Sequence, residues 1–239
     1  MKPLHILAFG AHPDDVELSA AGTLLSHKAQ GFRIGICDLT RGELGTRGSA
    51  ELRDQEAAKS SAILGLDFRT NLDLGDGFFE ESQETLLALI RVIRHTKPQV
   101  VLANALSDRH PDHARAAELT ARACFLAGLS KILTEWEGQT QNAHRPQTVY
   151  HYIQDRYTEP HLVIDIGDHL ETKMKSILAY SSQFYDPNSQ EPETPISGEA
   201  FLQGIRARAQ AFGRLISCTY AEGFHTQKPI GALNLLDLH

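Results

Sequence analysis

The sequence predicts an α/β fold, a mostly parallel sheet with helices on both faces in three layers. Two observations lead there. Short apolar runs alternate with helical patterns through residue 130, as strand–helix units do. Two of those runs end in clusters of ionisable residues, and ligands of open parallel sheets bind beyond the carboxyl ends of the strands. At 239 residues the chain suits one domain, 1–239. Such a chain buries roughly 70% of its unfolded surface and needs no covalent staples.

The elements follow in order. Residues 4–11 are a short apolar run and read as a buried strand. Helical spacing covers 16–30, with Gly31 as its stop. A second strand spans 32–39, and the glycine-rich loop TRGELGTRG occupies 40–48. Ser49 reads as the N-cap of a helix that ends at Gly65. A weaker strand at 68–74 precedes the turn GDG at 75–77. Residues 84–97 are amphipathic, with Leu86, Leu89, Ile90 and Ile93 on one side and Pro98 as terminator. A strand at 99–103 and a helix at 112–128 complete the alternating half. This half implies a Rossmann-like layout. Beyond it, 148–153 and 162–166 read as strands, and 168–181 and 199–216 as helices. The stretch FYDPNSQEPETPIS, 184–197, is a long loop of the kind that forms lids or interface arms.

Composition excludes some functions. A net charge of −7 argues against a nucleic-acid partner, which requires a basic face. It leaves room for a small anionic substrate. Cys37, Cys124 and Cys218 lie far apart, so neither a disulfide framework nor a cysteine zinc site is expected. The first apolar run is too short to span a membrane and lacks a signal peptide's cleavage region. The expectation is a cytoplasmic protein with no membrane partner.

The strand tips hold the chemistry. The first is AHPDD, Ala11 to Asp15; the second is SDRHPDH, 107–113. His12 and Asp15 are three residues apart, as are His110 and His113, and residues at that spacing share a helix face. Two imidazoles and a carboxylate make a catalytic zinc set, which assigns His12, Asp15 and His113 as ligands. The same set also suits ferrous iron. Such an ion lowers the pKa of a bound water to about 7. Asp14 is then a spare carboxylate placed as general base. His110 is a spare imidazole; oriented by Asp112, it would stay protonated and stabilise an oxyanion or protonate a leaving amine. Either tip by itself also reads as helix capping, with Pro in the first turn and Asp against the helix dipole.

At these residues the sequence resembles the LmbE-like, or PIG-L, family of zinc-dependent N-acetylglucosamine deacetylases. The resemblance runs through AHPDD with Glu17, through His110-Pro111-Asp112-His113, and through TRGELGTRG and the ELR of 51–53. It continues in YSSQF at 180–184 and AEGF at 221–224, and so covers nearly the whole chain. Within the family, SQFYDPNSQEPETPIS is similar to the branch that deacetylates N-acetylglucosaminyl malate in bacillithiol biosynthesis. The resemblance implies zinc on His12, Asp15 and His113, with Asp14 as base. It implies that Arg53 grips sugar hydroxyls with Glu43 and Asp76, and that Arg109 meets the malate carboxylates. It also implies a homo-oligomer, a trimer or hexamer. Where some relatives carry a tyrosine after the late loop, this chain has Phe201, which lacks the hydroxyl. His225 is the only other histidine near a family motif. Other metallohydrolases, deacetylases of other N-acetyl sugars, and a non-catalytic metal-bound sugar-binding subunit are the alternatives.

Overall fold

A computed structural model of the protein describes residues 2–232, Asn234 and Leu236. Strand β1 (Ile6–Gly10) is buried at every position and lies mid-sheet, between β2 (Ile34–Asp38) and β4 (Val100–Ala103). Its alternating side chains feed two cores. Leu7 and Phe9 pack with Leu89, Ile90 and Ile93 of α4 (Gln83–Thr96) and Leu119 of α5 (Pro111–Ala127). Ile6 and Ala8 pack with Val16 of α1 (Asp15–Ser19) and Leu24 of α2 (Ala21–Ala29) on the other face. A further cluster joins α3 (Ala50–Leu64), α6 (Leu170–Leu178) and α7 (Glu199–Leu215). The three predicted layers are present.

The sheet also contains β3 (Phe68–Asn71), β7 (Thr148–Tyr152), β8 (Leu162–Asp165) and β9 (Ala221–Thr226), in the order β3-β2-β1-β4-β7-β9-β8. From β3 to β7 all pairings are parallel; β9 runs antiparallel between β7 and β8. The chain builds outward from β1 to β2 and β3, then returns to add β4 on β1's other side. A crevice opens at such a reversal, beyond the carboxyl ends of the strands. Both ionisable tips lie there.

Predicted caps are met at α3: the Ser49 hydroxyl accepts from Leu52 N at 3.2 Å, and Gly65 adopts φ 62°. Two helices and three strands differ from expectation. The helix read at 16–30 breaks at Ala20 into α1 and α2, because the Glu222 carboxylate accepts from Gly22 N (3.0 Å) and Thr23 N (2.7 Å), starting a new helix. The helix read at 168–181 begins with a 3-10 turn, Gly167–His169, and its α-helical part ends at Leu178. No sequence signal marks β9, whose residues mix polarity, or the hairpin of β5 (Glu135–Trp136) and β6 (Gln139–Thr140), each two residues long. Cys37 and Cys124 are buried free thiols, and Cys218 is partly buried. Among the described residues no helix is long and apolar enough to cross a membrane.

Candidate active site

The first tip turns sharply after β1. A Cβ on Gly10 would lie 3.0 Å from His12 O and 3.3 Å from Asp15 Cβ, so the turn is tight enough to need glycine. Asp14, the N-cap of α1, has φ 111°, a left-handed conformation that a non-glycine residue holds at a cost of about 1–3 kcal/mol. Asp15 opens α1 and is held on both oxygens. Oδ2 accepts from His12 N and Asn104 Nδ2, each at 3.0 Å, and Oδ1 accepts from Gln154 Nε2 at 3.0 Å.

The second tip comes to the same point. His113 Nε2 lies 3.1 Å from Asp15 Oδ1, and His12 Nδ1 lies 3.7 Å from Asp15 Oδ2. The remaining nitrogen of each ring is held by carboxylate. His113 Nδ1 is 2.5 Å from Asp108 Oδ2; His12 Nε2 is 3.0 Å from Asp76 Oδ1 and 3.4 Å from Asp112 Oδ2. Carboxylates behind imidazoles fix ring orientation and raise basicity at the nitrogen that faces forward, the usual support of metal-binding histidines. Among the described residues, the donor groups whose ligand atoms all lie within 4.8 Å of one another are His12, His110 and His113, and His12, Asp76 and Asp112; Asp15 belongs to neither.

Burial and neighbours set the charges. Burial pushes the Asp14 carboxyl up against the pull of Arg53, to about 7. Burial lowers His113, but Asp15 and Asp108 outweigh it and raise the ring to about 9. Burial raises Asp15, yet His113 and His12 bring it well below the usual carboxylate range.

The Asp112 side chain does not orient His110. The Asp112 carboxylate is engaged elsewhere, accepting from Gly77 N (2.9 Å) and Arg115 Nη1 (2.8 Å) and facing His12. What reaches His110 is the Asp112 backbone N–H, which donates to Nδ1 at 3.3 Å. Burial, then the charges at His12 and His113, lower the pKa of His110. Asp112 and Asp15 pull the other way, and with Nδ1 accepting the backbone N–H, Nε2 is the nitrogen that carries a proton. The ring caps α5 and faces the cavity at once.

A cavity of about 330 Å³ lies over this centre. Arg53 lines it, with Nη1 donating to Pro13 O at 2.7 Å and lying 3.4 Å from Asp14 Oδ2. Asp76 also lines it, but its oxygens hold His12 and accept from Leu44 N at 3.0 Å. Exposed Glu43 stands one step back, accepting from Asp76 N at 2.7 Å. Arg109 is at the rim, half-exposed and paired with Asp155 at 2.9 Å. Part of the 184–198 loop, Thr194 to Ile196, forms a wall with Phe201, whose ring stacks on Phe184 at 6.1 Å. Arg47 ties that loop down through Pro192 O at 2.6 Å. His225 is not in the cavity lining; it stacks on His161 at 4.9 Å.

Sequence reasoning missed Asp108, Asn104 and Gln154, which touch His113 or Asp15, and Arg208, which lines the cavity. Asp108 stands inside the second tip, and its spacing to His113 was a usable signal. The other three become neighbours only through the sheet.

A Rossmann-like sheet whose switch point gathers two His-Pro-Asp tips sets the kind of protein this is, and comparison with known proteins agrees. The model of the family PIG-L, GlcNAc-PI de-N-acetylase, matches residues 7–124. The crystal structure of the conserved protein TT1542 from Thermus thermophilus is 35% identical, with a TM-score of 0.85 over 97% of this chain and 98% of that one. The diacetylchitobiose deacetylase of Thermococcus kodakarensis is 29% identical over 91% of this chain and 81% of its own length. A probable N-acetyl-α-D-glucosaminyl L-malate deacetylase 2 of Bacillus anthracis is 24% identical over 75% and 81%. The chain belongs to the PIG-L, or LmbE-like, family of deacetylases.

Proposed function

We propose that the protein hydrolyses the acetamide of an N-acetylglucosaminyl conjugate, with the L-malate conjugate of bacillithiol biosynthesis as its substrate. The reading has it working in the cytoplasm as a homo-oligomer, a trimer or hexamer. The observation behind it is the Asp15 carboxylate set between His12 Nδ1 and His113 Nε2, with carboxylates behind both rings.

This donor set fits a divalent cation. His12, Asp15 and His113 would hold zinc, or ferrous iron, leaving Asp14 and His110 unligated beside it. When bound, the ion supplies Lewis acidity toward the amide carbonyl and makes water a competent nucleophile near neutral pH.

The residues divide the remaining work. Asp14, fixed by its strained backbone and by Arg53, takes the proton of the attacking water. His110 donates its Nε2–H to the developing oxyanion, the kind of preorganised contact worth ~3 kcal/mol. The C–N bond breaks, Asp14 returns the proton to the leaving amine, and acetate is the co-product. Asp112 acts behind His12 as a positioning residue. Arg53 offers Nη2 to sugar hydroxyls, with Asp76 and Glu43 along the same wall and Arg109 at the rim. Phe201 closes the far side without a hydroxyl, which leaves oxyanion contact to His110 and the cation.

The test is acetate release by protein loaded with one equivalent of zinc. Release from N-acetylglucosaminyl malate, well above that from free N-acetylglucosamine, is expected. Release from neither substrate refutes the reading.

A further inference from the structure

Three arginines line the cavity, and two have carboxylate partners: Arg53 lies 3.4 Å from Asp14, and Arg109 lies 2.9 Å from Asp155. Arg208 differs. It sits on α7 seven residues after Phe201, so the two side chains share a helix face, and that face is a wall of the cavity. Its guanidinium donates through Nη2 to Leu18 O at 3.2 Å and through Nη1 to the carbonyl of Gln154. Among the described residues it has no carboxylate within ion-pair distance, although it is mostly buried.

A cation withdrawn from water, bonded only to neutral carbonyls and reached by Asp155, Glu222 and Asp108 only from beyond ion-pair distance, is incompletely compensated. An anion entering the cavity would complete it. The two carbonyls also aim the fork. Leu18 is three residues beyond Asp15, and the Gln154 side chain holds Asp15 and approaches His113 at 3.4 Å. The guanidinium is thus fixed to the same backbone that fixes the reacting centre. A planar fork held this way suits a carboxylate, which it can meet with two parallel hydrogen bonds.

We propose that Arg208 is a specificity residue that receives a carboxylate on the group attached to the sugar, a role that rests on the deacetylase reading above. A substrate with that carboxylate completes the buried cation; a neutral glycoside leaves it as it stands. The residue discriminates between acidic and neutral aglycones, while the acetamide chemistry stays with Asp14 and His110.

The test compares kcat and KM of the zinc-loaded enzyme on N-acetylglucosaminyl malate and on methyl N-acetylglucosaminide, in wild type, R208M and R208K. R208M should lose about tenfold or more in kcat/KM on the malate conjugate, through KM, and stay within about twofold on the methyl glycoside. R208K, which keeps the charge and loses the fork, should recover part of the preference. In wild type, added salt should raise KM for the malate conjugate alone, which needs no variant. Equal losses on both substrates would make Arg208 a scaffold residue and overturn the proposal, as would an unchanged ratio in both variants. Wild-type enzyme inactive on both substrates would instead refute the deacetylase reading itself.

Discussion

At the level of single residues, the candidate site is a division of labour among three neighbouring side chains. His12 and Asp15 face inward, while Asp14 between them is turned aside by its left-handed backbone. That turn separates the proposed base from two proposed ligands within four residues. Asp14→Asn should lower kcat by about a hundredfold or more, the usual contribution of a positioned base, with zinc content unchanged by elemental analysis. His113→Ala removes a donor and should lose the metal itself, which the same measurement reads directly. The i, i+3 spacing at each helix mouth made the two tips legible as neighbours, and the structure sets Asp15 between His12 and His113. What holds them was not legible. Asp76 reaches His12 from a loop 64 residues away, and Gln154 reaches Asp15 across 139. Nothing local in the sequence marks such partners.

Among elements, the AEGF stretch has a structural explanation. Glu222 on β9 caps α2 through two backbone N–H groups and pairs with the buried Lys173 of α6 at 2.6 Å. A Cβ on Gly223 would meet the Phe212 ring at 3.0 Å, so β9 and α7 need glycine there. Glu222→Ala leaves buried Lys173 with the Leu18 carbonyl but no counter-ion and should cost about 3–5 kcal/mol in urea unfolding. A second tie joins α2 to β2. The Asp67 carboxylate accepts from Lys28 Nζ at 2.8 Å and Ile34 N at 3.1 Å, with Arg33 nearby. Burial raises its pKa, but Lys28, the Ile34 N–H and Arg33 together lower it. Folding therefore favours its ionised form. That stabilisation is complete above the unfolded value of about 3.9 and is lost as pH falls through the lower folded value. Asp67→Asn should cost about 0.5–1 kcal/mol at pH 7, and the two proteins should converge as pH falls below the lowered folded pKa of Asp67. Apolar periodicity found most elements, since burial on a sheet face or helix stripe leaves that imprint. It missed β9 because its residues mix polarity, and the break at Ala20 because that depends on Glu222, a charge whose purpose appears only when the chain returns.

For the molecule as a whole, the sheet decides where chemistry is possible. The parallel half was legible from strand–helix alternation, and with it the placing of both tips beyond the carboxyl ends of strands. The antiparallel insertion of β9 between β7 and β8 was not, because order within a sheet is set by long-range pairing. The proposed chemistry requires the two tips to converge on one cation through His12 Nδ1, Asp15 and His113 Nε2. Anomalous diffraction from crystals of the zinc-loaded protein locates that cation. A single strong peak about 2.0–2.2 Å from those three donors is expected. A peak held instead by His12 Nε2 with Asp76 and Asp112, or no peak at the tips, would contradict it.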